Sequence, residues 1–259
     1  MPGYGRHSLD TTRGYLRCRI YNHGGGTEEG VNLAALQRLL PVPLRDYILH
    51  FEASITQEVR KFAASLPANC RVLDAGAGEM KYARFFQKQC YYGVDLGIGD
   101  ATWDYRKLHV VADLTLLPFQ SCCFDACLNI VTLEHLQAPH SALQEIARTL
   151  KGGGRLLLVL PQEWEIHQPP HDYFRFTRYG VYHLLNMAGF TILDIRPVGG
   201  FFRLLARRML NSLQFFPWYL FPVVALAVTP AALLLPLLDG LDRDRNFTLG
   251  YICTAQKCF

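Results

Sequence analysis

Three aspartates close three successive β-rich runs. Asp74 ends Cys70-Arg71-Val72-Leu73, Asp95 ends Tyr92-Gly93-Val94, and Asp113 follows Val110-Val111-Ala112. Directly after the first comes the turn Ala75-Gly76-Ala77-Gly78-Glu79-Met80. Gly76 and Gly78 let the backbone approach a ligand closely, and the free N–H groups of a following helix can meet a carboxylate or phosphate. In an open parallel sheet Asp95 then stands beside that loop, ready to accept from ribose hydroxyls. Three acids at the carboxyl ends of three neighbouring strands outline a nucleoside pocket. Three unrelated helix caps would be a poorer account of that spacing.

Two further clusters carry groups able to move protons. Glu134-His135 follows the run Phe124–Val131, and a histidine there titrates near neutrality unless its surroundings shift it. Farther on, His167-Gln168-Pro169-Pro170-His171-Asp172-Tyr173-Phe174-Arg175-Phe176-Thr177 concentrates polar and aromatic groups after the run 155–160. His171, Asp172, Tyr173 and Arg175 make a plausible wall for an acceptor molecule. Thr177 is placed to cap a helix, and Arg175 to pair with an acid.

The elements that must position these groups alternate in period. Leu44, Tyr47, Ile48, Phe51, Ile55, Val59, Phe62 and Leu66 form one helical stripe ended by Pro67. Strand-like runs follow at 70–74, 90–95, 108–112, 124–131, 155–160 and 190–196, with helix-like stretches near 79–88, 140–151 and 177–188. The second of these ends in Lys151-Gly152-Gly153-Gly154, a basic last turn and glycine punctuation. Strands alternating with helices imply βαβ units and a doubly wound parallel sheet.

Taken together, VLDAGAG, YYGVDL, ADLTLLPF with FDACLNIVTLEHL, and LQEIARTLKGGGRLLLVLP resemble the class I S-adenosylmethionine-dependent methyltransferases. The likeness is continuous over about 70–197, and FTLGYICTA at 247–255 looks like the closing strand. The resemblance implies an α/β fold with a doubly wound, seven-stranded Rossmann-like sheet. Residues 1–66 would be an N-terminal arm and helical extension, and 67–259 the methyltransferase domain, with a hydrophobic insertion at 198–246. It also implies S-adenosylmethionine as cofactor. Gly76 and Gly78 would pass under its methionine part, with Asp74 holding that loop. Asp95 and Leu96 would bind the ribose side, Asp113 and Leu114 the adenine edge, and Asn129 would line the sulfonium side. The family's usual third glycine is Met80 here, which implies a changed pocket wall.

Methyl transfer from a sulfonium mainly requires a positioned nucleophile and, where needed, a base. His135, His171 and Asp172 are the candidate catalytic residues; His135 belongs to a pair common in the family, where the resemblance implies more a scaffold for the loop and cofactor than a base. The absence of Asn-Pro-Pro-Tyr after the fourth strand disfavours the known arrangement for amide or nucleobase amines. The acceptor expected is a small or lipid-like molecule, methylated at oxygen. A nicotinamide-dependent reductase is disfavoured because Lys81 occupies the third position of G-x-G-x-x-G and no Tyr-x-x-x-Lys occurs. A non-catalytic, membrane-associated adaptor of the same fold stays open.

Composition bounds the rest. The formal charge of +4 across 259 residues is too mild to point to a nucleic-acid partner. The eight cysteines show no C-x-x-C pair, so no metal site is expected, and their places in apolar runs (Cys70, Cys90, Cys127) suit a reducing, cytoplasmic setting. Residues 1–27 read as a Gly-rich arm. Residues 209–238 carry no formal charge, which suggests peripheral membrane contact or an apolar lid over the active site. Arg203, Arg207 and Arg208 before it would serve as a basic anchor, and its four prolines should break any helix repeatedly. Both flanks must return to one sheet, which argues against a single crossing.

Overall fold

A computed structural model describes residues 40–99 and 102–259. The Gly-rich arm and the first part of the expected 1–66 extension therefore lie outside the described residues. The helical stripe forms two helices, α1 (Val42–Ile48) and α2 (His50–Ser65), broken at Leu49. The strands are β1 (Arg71–Ala75), β2 (Cys90–Asp95), β3 (Val110–Val111), β4 (Phe124–Ile130), β5 (Leu150–Pro161), β6 (Phe190–Val198) and β7 (Gly250–Lys257). Helices α3 (Pro139–Thr149) and α4 (Arg178–Met187) precede β5 and β6; α5 (Phe201–Ser212) and α6 (Phe221–Leu234) lie between β6 and β7.

One sheet joins all seven strands in the order β3-β2-β1-β4-β5-β7-β6. Strands β1 to β5 pair in parallel, while β7 runs antiparallel between β5 and β6. The seven-stranded doubly wound sheet is thus present, with its last strand reversed. Alternation along each strand feeds two cores. Leu73, Cys127, Leu156 and Leu158 pack with Leu143, Ile146, Val181 and Leu185 of α3 and α4 on one face. Val72, Ala126, Leu128, Leu157 and Val159 meet Phe51, Ile55, Val59 and Phe62 of α2 on the other. Burying apolar area on both faces, at roughly 25 cal/mol per Å², is what secures β1, β4 and β5 centrally.

Three local expectations are corrected. The helix expected at 79–88 is reduced to turns and a short 3-10 segment, Ala83–Phe85. Gly76, Gly78 and Met80 all adopt positive φ, which uncoils the chain, and Tyr82 and Phe86 then bury in the α2 core. Lys151–Gly154 is the start of β5 rather than helix punctuation, α3 ending at Thr149 with Arg148 in its last turn. Cys90 is exposed, unlike Cys70 and Cys127.

Candidate active site

A cavity of about 510 Å³ opens at the carboxyl ends of β1, β2 and β4. Its floor is the glycine turn. A Cβ on Gly76 would collide with the Thr132 side chain, and one on Gly78 would stand 3.1 Å from the Trp103 ring. Gly76 also has a φ of 90°, so glycine is required there twice over, while Gly78 at φ 50° is favoured as glycine by the left-handed backbone and the close Trp103 ring. The turn is pinned to β2, since the Gly76 and Ala77 N–H groups donate to the Val94 carbonyl at 2.8 and 3.0 Å.

Asp95 reaches the cavity wall, where one carboxylate oxygen accepts from the Gly78 N–H at 2.9 Å and the other from Gly97 N–H at 2.8 Å. It therefore shapes the loop and faces the ligand space with the same group. Leu96, Asp113 and Leu114 also line the cavity; Asp113 accepts from the Thr115 N–H and hydroxyl, both at 2.8 Å. Six of the eight expected cofactor residues thus stand together.

Asp74 and Asn129 do not line the cavity. Asp74 is buried and accepts from the Tyr91 hydroxyl, so it is held from β2 instead of holding the glycine loop. Burial pushes its pKa up to about 7, opposed by that hydrogen bond. Asn129 is wholly buried and donates to the Ala75 carbonyl at 2.8 Å, tying β4 to the end of β1. The wall it was expected to form belongs to Ile130, Val131 and Thr132. Met80 is no pocket wall either; it packs over Gly93.

The two proton-handling clusters meet. Tyr173 and Phe174 N–H groups donate to the Glu134 carbonyl at 2.8 and 3.2 Å, and His135 Nδ1 donates to the His171 carbonyl at 2.5 Å. His135, His167 and His171 all line the cavity mouth. Burial lowers the pKa of His135, and that of His167 to about 4, the latter helped by His135 beside it. Glu134 is fully buried, which raises its pKa to about 8. Asp172 sits away from the cavity. Burial works against its ionisation, but the Arg175 fork at 2.7 and 2.8 Å outweighs it and holds the carboxyl below its usual range. Asp172 thus braces the loop through Arg175 and the His167 N–H, and of the three residues expected to be catalytic it is the one that does not line the cavity. Thr177 caps α4 as anticipated, accepting from the Gly180 N–H at 3.1 Å.

Sequence reasoning missed the aromatic walls. Phe51, Tyr82, Trp103 and Trp164 line the cavity together with Glu52 and Ile55 of α2. In the sequence Phe51 and Ile55 read only as part of a core stripe, and an i, i+4 pair says nothing about which end of the sheet it covers.

A methyltransferase-domain family profile matches residues 73–158, the stretch from β1 through the glycine turn to β5. Residues 73–158 are an S-adenosylmethionine-dependent methyltransferase domain. The tRNA (carboxymethyluridine(34)-5-O)-methyltransferase of Xenopus tropicalis is 31% identical over 116 residues, 43% of this chain and 18% of that protein. The malonyl-[acyl-carrier protein] O-methyltransferase of Herminiimonas arsenicoxydans is 29% identical over 129 residues, 48% of this chain and 49% of its own. The chain spans less than half the length of either relative. Among solved structures, the [4+2]-cyclase SpnF superposes with a TM-score of 0.52 at 22% identity, covering 79% of this chain and 81% of that one. The 1,6-didemethyltoxoflavin-N1-methyltransferase of Burkholderia thailandensis gives 0.50 at 18%, covering 88% and 89%. These two establish the fold. The methyltransferase cradle fits its cofactor: a floor without side chains at Gly76 and Gly78, a carboxylate at Asp95 for hydroxyls, and apolar walls for a base.

Proposed function

We propose that the chain methylates an oxygen of a small-molecule or lipid-like acceptor. The observation that carries this is the histidine-lined mouth, His135, His167 and His171, opening directly onto the glycine and aspartate cradle. Both sequence relatives carry O-methyl transfer in their names, which supports oxygen as the acceptor atom.

S-adenosylmethionine, when bound, supplies a methyl group made electrophilic by its positive sulfur. The chain's own residues do the rest. Gly76 and Gly78 admit the ligand, Asp95 accepts from its ribose hydroxyls, and Asp113 with Leu114 bounds the adenine side. His171 lies at the mouth, its Nδ1 3.2 Å from the Tyr173 hydroxyl, and takes the acceptor's proton. His135 holds the His171 backbone in place. Trp103 and Trp164 give that space apolar walls.

Calorimetry with S-adenosylmethionine is the first test, with a nicotinamide dinucleotide as control. Saturable binding of the first alone is expected, and binding of neither would favour the adaptor reading. Incubation of a cell extract with the enzyme and methyl-labelled cofactor then identifies the acceptor. Label in the small-molecule or lipid fraction is expected; label confined to RNA would replace this acceptor class with the one named for the Xenopus relative.

The apolar insertion supports a second element of the proposal, contact with one membrane leaflet. Phe221–Leu241 is a 21-residue helical stretch containing an 18-residue window of mean hydropathy 2.2, of which only 11% is buried. None of residues 209–238 lines the cavity, so the lid reading has no geometry to rest on.

A further inference from the structure

Glu134, His135 and His167 bring one carboxylate and two imidazoles together, with ligand atoms all within 4.8 Å of one another. They come from two loops, the one after β4 and the one after β5, so no sequence spacing announces them. Glu134 is 0% exposed, and neither of its carboxylate oxygens has a hydrogen-bond partner. An unpaired carboxylate in such a place is costly, and buried acids are normally paired, hydrogen-bonded or bound to a metal. Arg175 is no remedy, because its donors are committed to Asp172 and to the Trp164, Glu165 and Phe174 carbonyls.

Each imidazole has its Nδ1 set against acceptor oxygens. His135 Nδ1 faces the His171 carbonyl, which can only accept, so the neutral ring carries its proton on Nδ1 and its lone pair on Nε2. That Nε2 lies 3.8 Å from Glu134 Oε1. His167 Nδ1 lies 3.2 Å from the Glu165 carbonyl and 3.4 Å from Asp172 Oδ2, again two acceptors, which puts its lone pair on Nε2 as well. A ring N–H given to a carbonyl or carboxylate is the usual support of a metal-ligating histidine. Here the support is in place for both rings, which stand 4.6 Å apart and nearly perpendicular.

We propose that Glu134, His135 and His167 form a site for one divalent first-row transition ion of the zinc or iron(II) class. Two nitrogens and one carboxylate suit these ions and disfavour magnesium and calcium, which seek all-oxygen shells. Around an ion with ligand bonds of about 2.1 Å, tetrahedral ligand atoms stand roughly 3.4 Å apart, so the His135–Glu134 pair closes by about half an ångström. Three protein ligands leave a coordination position open. His135 and His167 line the cavity, and on this proposal the open position is on their side, since Glu134 is buried behind them. On the methyl-transfer reading, which this part of the inference rests on, the open position receives the acceptor oxygen.

The test is titration of chelator-dialysed full chain with cobalt(II), read by absorbance and by proton magnetic resonance. One equivalent is expected, with visible d–d bands, no thiolate charge-transfer band, and two solvent-exchangeable imidazole N–H signals shifted far outside the normal range. A thiolate band, or no shifted imidazole protons in the unaltered chain, overturns the site, and neither outcome depends on a variant's folding. Glu134→Gln and His167→Gln, checked by circular dichroism, should each weaken cobalt binding at least tenfold; undiminished binding in folded variants also overturns it. S-adenosylmethionine binding is measured in parallel. Its loss alongside normal cobalt binding would sink the methyl-transfer reading and leave the metal site, and the converse result would do the opposite.

Discussion

Asp95 carries two tasks on one carboxylate, bracing Gly78 and Gly97 while facing the cavity. Asp95→Ala should weaken S-adenosylmethionine binding by about 1.5–3 kcal/mol, the scale of hydrogen bonds to a charged group. Calorimetry reads this, and an unchanged dissociation constant in a folded variant contradicts the ribose assignment. Gly76 is constrained more severely, because its φ of 90° suits no other residue and any Cβ meets Thr132. Gly76→Ala should cost about 1–3 kcal/mol of stability from backbone strain, plus the clash. Urea denaturation checks it. At His171 the expected result is a split: His171→Ala keeps cofactor affinity and loses turnover by about 10²-fold or more, as removal of a general base does.

At the scale of elements, ion pairs hold α5 to α2, to the loop after β5 and to the 3-10 segment 235–241. Arg207 pairs with Glu52 at 3.0 Å and stacks 3.9 Å over Trp164; Arg208 pairs with Glu165 at 2.7 Å, and Arg203 with Asp239 at 3.5 Å. These arginines were expected to anchor the insertion to anionic lipid, yet the fold spends them internally. His50, at the start of α2, shares this joint. Burial, aided by Arg203, lowers its pKa to about 4. Its folded value lies below the unfolded value near ~6.5, so acidification protonates the unfolded chain first. The stability this group contributes is therefore full above pH ~6.5 and lost as pH falls toward 4. His50→Gln should flatten the fall in urea midpoint over that window without abolishing it, since His167 is shifted in the same direction. Identical profiles for the two proteins would remove His50 from the account.

At the scale of the whole molecule, the hairpin of α5 and α6 leaves Val223, Leu226, Leu234 and Leu237 each more than 60% exposed, beside Trp218 and Tyr219. The stretch runs helically through Pro230 instead of breaking there, with Pro222 and Pro236 at the starts of helical segments where proline is tolerated. Its ends return to β6 and β7 of one sheet, which favours lying in a leaflet over crossing it. The full chain should float with liposomes, and a chain with 209–238 replaced by a short Gly/Ser link should not. Because the arginines are paired, high salt should change flotation little. Both chains staying in the soluble fraction would end the membrane proposal.

The sequence by itself determined the central sheet, the glycine turn and the acids at the strand ends, because these are local. A strand's period, a glycine demanded by backbone geometry and an acid at a strand terminus all show within a few residues. It also marked the apolar insertion by length without charge. Only the tertiary structure decided which groups share a space. Asp74 and Asn129 face the interior because neighbouring strands offer them Tyr91 and the Ala75 carbonyl. Phe51 reaches the cavity because α2 crosses the sheet where it does, and Trp164, from the loop after β5, packs against it there. Glu134 and His167 meet because the loops after β4 and β5 are drawn together by the Tyr173 and Phe174 amides. Such convergence depends on strand order, β5 lying beside β4 and β7 closing antiparallel behind it, and strand order follows from how two apolar faces are covered at once.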